Sequence, residues 1–175
     1  MKKTNNKKFN HIKIHTQYSI CEGAIKINDL KLYCKEKKIL SLGLSDTSNL
    51  CGALEFSDNI SSVGTQPIIG TQINFKSDKT TGLLPLISLT EKGYKKNIEL
   101  SSKSYLENDP LSDPHLDIKE LLTDTEEIIL LSGTIHGFFG KLFEKGKFTE
   151  ITKLYKQLSS KFNDRFYLEI QRHGD

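Results

Sequence analysis

The stretch FNHIKIHTQYSICEG, residues 9–23, starts with the alternating pattern of a β-strand. Because successive side chains of a strand point to opposite faces, His11, Lys13 and His15 are predicted on one face and two isoleucines on the other. Two imidazoles two residues apart on one face can bind the same cation, as in the H-x-H pairs of metal sites. Here Lys13 separates the two histidines, and its protonated ammonium has no lone pair to donate. The stretch therefore predicts a polar strand face with a lysine between two candidate metal ligands.

Further apolar runs, each short and rich in Ile, Leu, Val or Phe, predict strands along the rest of the chain. With the first run at 10–15, the predicted strands are residues 41–45, 67–75, 83–89, 127–132 and 165–171. Between them, Ile27, Leu30 and Cys34 recur at helical spacing, and segment 147–162 repeats the pattern. Two polar or proline-containing stretches are predicted turns or loops, residues 76–82 and 107–117. This alternation of strand and helix predicts an α/β fold with a mainly parallel sheet, open or closed into a barrel.

The composition fits one globular domain, because 175 residues with 36% hydrophobic content can build a core. Residues 1–8, MKKTNNKK, form a basic tail, and no apolar run follows that could serve as a signal peptide or cross a bilayer. We therefore expect a cytoplasmic location and no membrane contact. The net charge of +3 comes from dispersed lysines, which argues against strong direct nucleic-acid binding. Cys21, Cys34 and Cys51 form no C-x-x-C pair and are expected to be reduced thiols.

Polar residues close several of the predicted strands, where the ligands of parallel α/β barrels bind. These residues are His15, Asp46, Thr47, Gln72, Thr134 and His173. Structural roles are equally open for them at this point. Asp46 is suited to cap the helix that follows it, and His15 is suited to be a hydrogen-bonded core histidine. The chain has no glycine-rich spacing typical of a nucleotide site.

Six segments, in order along the chain, resemble one known family. They are HIKIHTQYSICEGA, LGLSDTSNLCGALEF, QPIIGTQINF, TEKGYKKNIELSS, IILLSGTIHG and RFYLEIQRHGD. Together they are similar to the N-terminal PHP domain of bacterial replicative DNA polymerase III alpha subunits, over residues 9–175. The resemblance implies a distorted (βα)7 barrel of PHP type, truncated here before its last strands. It also implies a parent protein that is a DNA-directed DNA polymerase, with the polymerase regions following this domain.

Metal-binding members of that family hold zinc or manganese with histidines, carboxylates and sometimes a cysteine. The resemblance places the corresponding positions of this chain at Lys13, His15, Glu22, Asp46, Thr47, Gln72, Leu83, Thr134 and His173. Of these, only His15, Glu22 and His173 keep a competent donor. A hydrolytic cluster needs three or more protein donors for each ion and an open position for water. The resemblance thus implies a vestigial site, with no catalytic residue and no cofactor expected.

Three functions follow from the resemblance. The leading hypothesis is a non-catalytic scaffold domain that contacts the rest of the polymerase chain and docks a separate proofreading exonuclease subunit. The alternative is a metal-dependent PHP phosphoesterase, a 3′–5′ exonuclease or a pyrophosphatase, whose changed ligand set binds zinc or manganese. A third is a free-standing PHP phosphatase of small metabolites.

Lys13 is expected to replace the metal under the leading hypothesis, by pairing with Glu22 or Asp46. The competing expectation is that its side chain extends out of the site and that its charge is solvated.

Overall fold

The computed structural model describes residues 9–171, which form a mixed α/β fold. The helices of this part of the chain are α1 (Ile27–Lys37), α2 (Ala53–Ser61), α3 (Glu91–Leu106), α4 (Phe138–Glu144) and α5 (Phe148–Phe162). Its strands are β1 (Ser41–Thr47), β2 (Gln66–Ser77), β3 (Thr80–Ser88), β4 (Leu116–Asp117), β5 (Ile128–Leu131) and β6 (Phe166–Tyr167). Short 3-10 helices cover Ile118–Leu122 and Asn163–Arg165. No helix within residues 9–171 is long and apolar enough to cross a membrane.

The strands form one sheet in the order β1-β2-β3-β5-β6, with β4 paired to β2. Strand β3 is antiparallel to both of its neighbours, whereas the other pairs are parallel. The sheet is therefore mixed, and the prediction of a mainly parallel sheet is wrong at β3. The reason lies in the β2–β3 link, where Asp78 and Lys79 alone separate the strands. Two residues can join antiparallel strands but are far too few for a parallel crossover.

The strand predicted at 10–15 is present only as an isolated parallel bridge between Ile14 and Leu44. Gly43 donates its N–H to the His11 carbonyl at 2.7 Å and accepts from the Ile14 N–H at 3.1 Å. In a regular parallel ladder, the N–H and the carbonyl of one residue bond to two residues of the neighbouring strand that are two positions apart. Here the two partners of Gly43, His11 and Ile14, are three positions apart. One extra residue thus interrupts the ladder, as in a β-bulge.

Gly43 is required by the close approach of this N-terminal segment. A Cβ built on Gly43 would lie 2.4 Å from the carbonyl oxygen of Ile12, closer than any tolerated contact. Only glycine can bring two backbones this close. The segment that carries Lys13 is therefore held against β1 at a fixed position.

Strand alternation divides the residues of β2 and β3 between two faces of the sheet. Ile73 and Leu84 are fully buried in the larger core, together with apolar residues of α3, α4 and α5. Gln72 and Leu83, the adjacent positions, are directed to the opposite face. A smaller core joins α1, α2 and β1. The helices thus cover one face, and most of the predicted site residues in the described range gather on the other.

The helical patterns predicted over 27–34 and 147–162 are confirmed, since α1 covers the first and α5 begins and ends within one residue of the second. In α1 the buried residues are the predicted Ile27, Leu30 and Cys34. The last predicted strand, 165–171, is shorter than expected. Only Phe166 and Tyr167 pair with β5, and residues 168–171 continue without strand pairing.

Candidate functional site

A polar pocket of about 340 Å³ lies on the face of the sheet opposite the larger core. It is lined by Lys13, His15, Glu22, Gln72, Leu83, Thr134, His136, Gly137 and Gln171. Six of these are positions that the sequence resemblance singled out, although they come from five separate segments of the chain. His173, another such position, lies outside the described residues. The fold thus brings most of the predicted positions to one place.

Lys13, which lines this pocket, forms an ion pair with Glu169. Its ammonium Nζ lies 2.9 Å from Glu169 Oε1 and 3.2 Å from Oε2, so both carboxylate oxygens are engaged. The two side chains are only 15% and 13% exposed. The expected partners, Glu22 or Asp46, were wrong, and so was the competing expectation of a solvated lysine. We call this contact the Lys13–Glu169 bridge.

Asp46 does not pair with Lys13 because its carboxylate is fully engaged elsewhere. Oδ1 accepts hydrogen bonds from the Thr16 N–H at 2.6 Å and the Ser19 hydroxyl at 2.7 Å, and Oδ2 accepts from the Thr16 hydroxyl at 2.8 Å. All three residues are fully buried. The expectation that Asp46 caps the next helix is also wrong, since α2 begins with no side-chain cap. Asp46 instead fixes the loop that follows the N-terminal segment.

Thr47 links two side chains that line the pocket, those of Glu22 and Gln72. Its hydroxyl donates to the carboxylate of Glu22 and accepts from Gln72 Nε2 at 3.2 Å. Gln72 Nε2 also lies 3.4 Å from His15 Nε2, which acts as an acceptor in the matching tautomer. The other ring nitrogen of His15, Nδ1, is buried and has no partner among the described residues. Hydrogen bonds thus join groups that would face a cation in a metal site.

Tyr18 attaches the same loop to α2. Its phenol donates a hydrogen bond of 2.6 Å to the Glu55 carboxylate. This bond favours the protonated phenol, so it raises the pKa of Tyr18 above its usual value near 10. The loop between residues 16 and 23 is therefore anchored at both β1 and α2.

Comparison with protein families matches residues 11–173 to the PHP domain. The chain belongs to the PHP domain family. Among curated relatives, this PHP domain is 36% identical over 174 residues to the DNA polymerase III subunit alpha of Caulobacter vibrioides. It is 31% identical over 170 residues to the subunit of the same name from Vibrio cholerae. Each alignment covers 95% of this chain and 15% of the relative, so the chain spans only a small part of their length.

Solved structures resemble this PHP domain more distantly. A proposed metal-dependent phosphoesterase from Bifidobacterium adolescentis aligns over 88% of this chain and 56% of its own, with 13% identity and a TM-score of 0.45. An amidohydrolase from Chromobacterium violaceum aligns over 84% of this chain and 54% of its own, with 12% identity and a TM-score of 0.43.

The donor set of the polar pocket does not fit a zinc or manganese cluster. Leu83 has no donor atom, and Thr134 uses its hydroxyl to accept from the His136 N–H at 3.2 Å. His15 and Glu22 are the retained donors in the described range, and no group of three or more His, Cys, Asp or Glu there could hold an ion. The Lys13 ammonium adds a positive charge that repels a cation. The residues present therefore suit internal hydrogen bonding better than metal binding.

The other histidines in the described range, His11, His115 and His136, form no second site. The ring of His11 packs edge-on against Phe9, with 4.9 Å between ring centroids. His115 Nδ1 lies 2.8 Å from the Asp113 carbonyl in an exposed loop. His136 is exposed at the edge of the polar pocket.

Both residues of the Lys13–Glu169 bridge also line an apolar cleft of about 830 Å³. It is lined by Phe9, His11, Ile12, Lys13, Ile68, Ile87, Ile129, Leu131, Tyr167, Leu168, Glu169, Ile170 and Gln171. Both ends of the described chain thus contribute to its wall. Nothing in the sequence pattern identified Glu169, Thr16 or Ser19 as site residues, because each acts through a partner distant in sequence.

Proposed function

We propose that this PHP domain belongs to a bacterial DNA polymerase III alpha subunit and serves there as a non-catalytic structural domain. The parentage is supported by relatives of that name at 31–36% identity over nearly the whole chain. It also agrees with the six ordered sequence segments that first indicated the family. DNA synthesis itself would belong to other regions of the parent protein.

The observation that carries the non-catalytic role is the Lys13–Glu169 bridge, whose lysine lines the polar pocket. Metal-assisted hydrolysis needs an ion held by at least three protein donors, with one position open for water. In this pocket one family ligand position carries an ammonium that is already neutralised by a carboxylate. Thr47 and Gln72, at two other positions, hydrogen-bond to each other. These positions form a stabilising network in place of a reaction centre.

The finer architecture that we propose is the distorted (βα)7 barrel of the family, incomplete in this chain. Under this proposal residues 9–175 form the partial domain and residues 1–8 a basic tail. Two features support a curved sheet: the polar pocket collects residues from both ends of the described chain, and the Lys13–Glu169 bridge joins those ends.

The partners that we propose are the rest of the polymerase chain and a separate proofreading exonuclease subunit. Packing against further polypeptide is supported by exposed apolar side chains of the cleft, such as Phe9 and Ile170. The exonuclease contact rests on the family resemblance alone. Its test is co-purification of the exonuclease subunit with this domain, and a mixture that elutes as two separate species in gel filtration would contradict it.

A hydrolysis assay tests the non-catalytic role against the alternative, a zinc- or manganese-dependent phosphoesterase. The purified chain is incubated with Mn²⁺ or Zn²⁺ and with a chromogenic phosphodiester, a 3′-labelled DNA strand or pyrophosphate. The matched control is a His15→Ala, Glu22→Gln double variant, which lacks both retained donors of the pocket. We expect equal background rates for both proteins. Metal-dependent hydrolysis that disappears in the double variant would overturn the structural role and favour the phosphoesterase.

A further inference from the structure

The Lys13–Glu169 bridge joins two segments that do not pair directly with each other in the described part of the chain. The two residues are 156 positions apart. Within residues 9–171, β1 and β6 lie at opposite ends of the strand order, and they are linked through β2, β3 and β5. The bridge therefore adds a direct connection between the N-terminal segment and the segment that follows β6.

The lysine side of the bridge is anchored to β1 by backbone hydrogen bonds. His11 and Ile14, on either side of Lys13, both bond to Gly43, and the Ser45 N–H donates to the Ile14 carbonyl at 2.8 Å. The close approach of this segment to β1 also requires glycine at position 43. The backbone of Lys13 is therefore held in a fixed position against β1.

The glutamate side is anchored to the end of β5. The Glu169 N–H donates to the Ser132 hydroxyl at 2.9 Å, and the Ser132 N–H donates to the Tyr167 carbonyl at 2.9 Å. Gln171 Nε2 donates to Glu169 Oε1 at 3.3 Å. The carboxylate thus receives hydrogen bonds from Lys13 and Gln171, and the Glu169 backbone is fixed to the end of β5.

We propose that the Lys13 ammonium is the internal cation of this PHP domain and takes over the bridging role of a metal ion. A metal ion in such a site would tie together side chains from separate strands. One ammonium and one carboxylate do the same here with no net charge, so the bridge needs no further anionic ligands. This inference rests on the proposed non-catalytic role, and it adds a specific prediction: the ends of the sheet are held together by this bridge and not by a divalent ion.

Burial decides how strongly the bridge should act. Both side chains are largely shielded from water, so removing one partner leaves the other charge poorly solvated and unpaired. The Glu91–Lys95 pair on α3 is a matched comparison, because its side chains are 79% and 72% exposed. Exposed pairs of this kind contribute little to stability.

Equilibrium unfolding of the 175-residue chain in denaturant tests the proposal. We expect Lys13→Met and Glu169→Gln each to raise the unfolding equilibrium constant about tenfold or more, against less than about fivefold for Lys95→Met. The double variant Lys13→Met, Glu169→Gln should cost less than the sum of the single changes, because the two residues act on each other. Lys13→Arg, which keeps the charge, should recover most of the stability. Excess EDTA should not change the midpoint of the wild-type chain.

The proposal would be overturned if Lys13→Met cost no more stability than Lys95→Met, or if the two single changes added without coupling. It would also be overturned if EDTA destabilised the wild-type chain and Mn²⁺ or Zn²⁺ restored its stability. If a variant does not fold, hydrogen exchange of the wild-type chain decides, and residues 9–16 and 166–171 should be protected together. Free exchange of either segment would also overturn it. None of these measurements uses hydrolysis. The proposal about the bridge can therefore fail while the non-catalytic role holds, and it can hold while that role fails.

Discussion

Asp46 and Thr16 are joined by two hydrogen bonds, from the Thr16 N–H at 2.6 Å and from its hydroxyl at 2.8 Å. Both residues are fully buried, so neither donor can turn to water if the carboxylate is removed. A buried donor without a partner costs about 1–3 kcal/mol, and Ser19 would lose its acceptor as well. The contact therefore stabilises the loop that carries Glu22 to the polar pocket.

We predict that Asp46→Ala lowers the free energy of unfolding by about 3 kcal/mol or more. Asp46→Asn should cost less, because its amide keeps one acceptor oxygen. Denaturant unfolding monitored by circular dichroism measures both. Asp58→Ala, an exposed carboxylate change on α2, is the control and should stay within about 0.5 kcal/mol of the wild-type chain. A loss for Asp46→Ala as small as that of the control would contradict the prediction.

Gly43→Ala should destabilise the chain through a steric clash. The added methyl group would lie 2.4 Å from the Ile12 carbonyl oxygen, so the N-terminal segment must move away from β1. We expect a loss of about 2 kcal/mol or more in the free energy of unfolding. Gly64→Ala is the matched change, since Gly64 has a φ of +79° and open space around it. Gly64→Ala should cost only the conformational penalty of about 1 kcal/mol. A larger loss of stability for Gly64→Ala than for Gly43→Ala would argue against the close approach at Gly43.

The hairpin between β2 and β3 should lose a stabilising contact in acid. Asp78 and Lys147 lie 3.2 Å apart, and the hydrogen bond from Lys147 lowers the pKa of Asp78 below its usual value. A carboxyl whose pKa is lowered by folding adds stability above its unfolded pKa of about 4, and this stability is lost as the pH falls through the folded pKa. The same hydrogen bond raises the pKa of Lys147. The stability that this lysine adds is therefore lost only in strong base.

Asp78→Asn tests this pH dependence, because asparagine also tolerates the φ of 50° at this position. The wild-type chain should have the higher unfolding midpoint at neutral pH, and the two midpoints should converge below about pH 4. Added salt should narrow the difference, since both groups are partly exposed. A difference that stays constant from neutral pH into acid would show that the ion pair is not its cause.

Local patterns in the sequence predicted most elements, because burial of an apolar stripe leaves a period that can be read directly. Ile27, Leu30 and Cys34 in α1 are an example. The family resemblance located six residues of the polar pocket. The sequence could not identify Glu169 as the partner of Lys13, because the two residues are 156 positions apart and meet only when the sheet has formed. It also missed the interruption before β1, which arises from one extra residue in an otherwise regular alternation.

Exposed apolar side chains of the cleft should cause the 175-residue chain to associate. Ile170 is 84% exposed and Phe9 is 76% exposed, and both line the apolar cleft. We expect the apparent mass in light scattering to rise with concentration, and Ile170→Lys to reduce that rise. The matched control is Leu111→Lys, because Leu111 is 97% exposed in a loop outside the cleft. A monodisperse monomer at all concentrations, or equal effects of both variants, would contradict association through the cleft.

Metal content is the last property that the donor set predicts. The chain should purify with much less than one zinc or manganese ion per molecule, as measured by elemental analysis after gel filtration. Lys13→His should not change this result, although it restores an H-x-H pair with His15. The new imidazole would face Thr47, Gln72, Leu83 and Thr134, none of which offers the anionic or imidazole donors that zinc and manganese prefer. Glu169 would lose its cation, so the variant should also be less stable than the wild-type chain. Recovery of two or more ions per chain in Lys13→His would show that the remaining positions are still competent ligands.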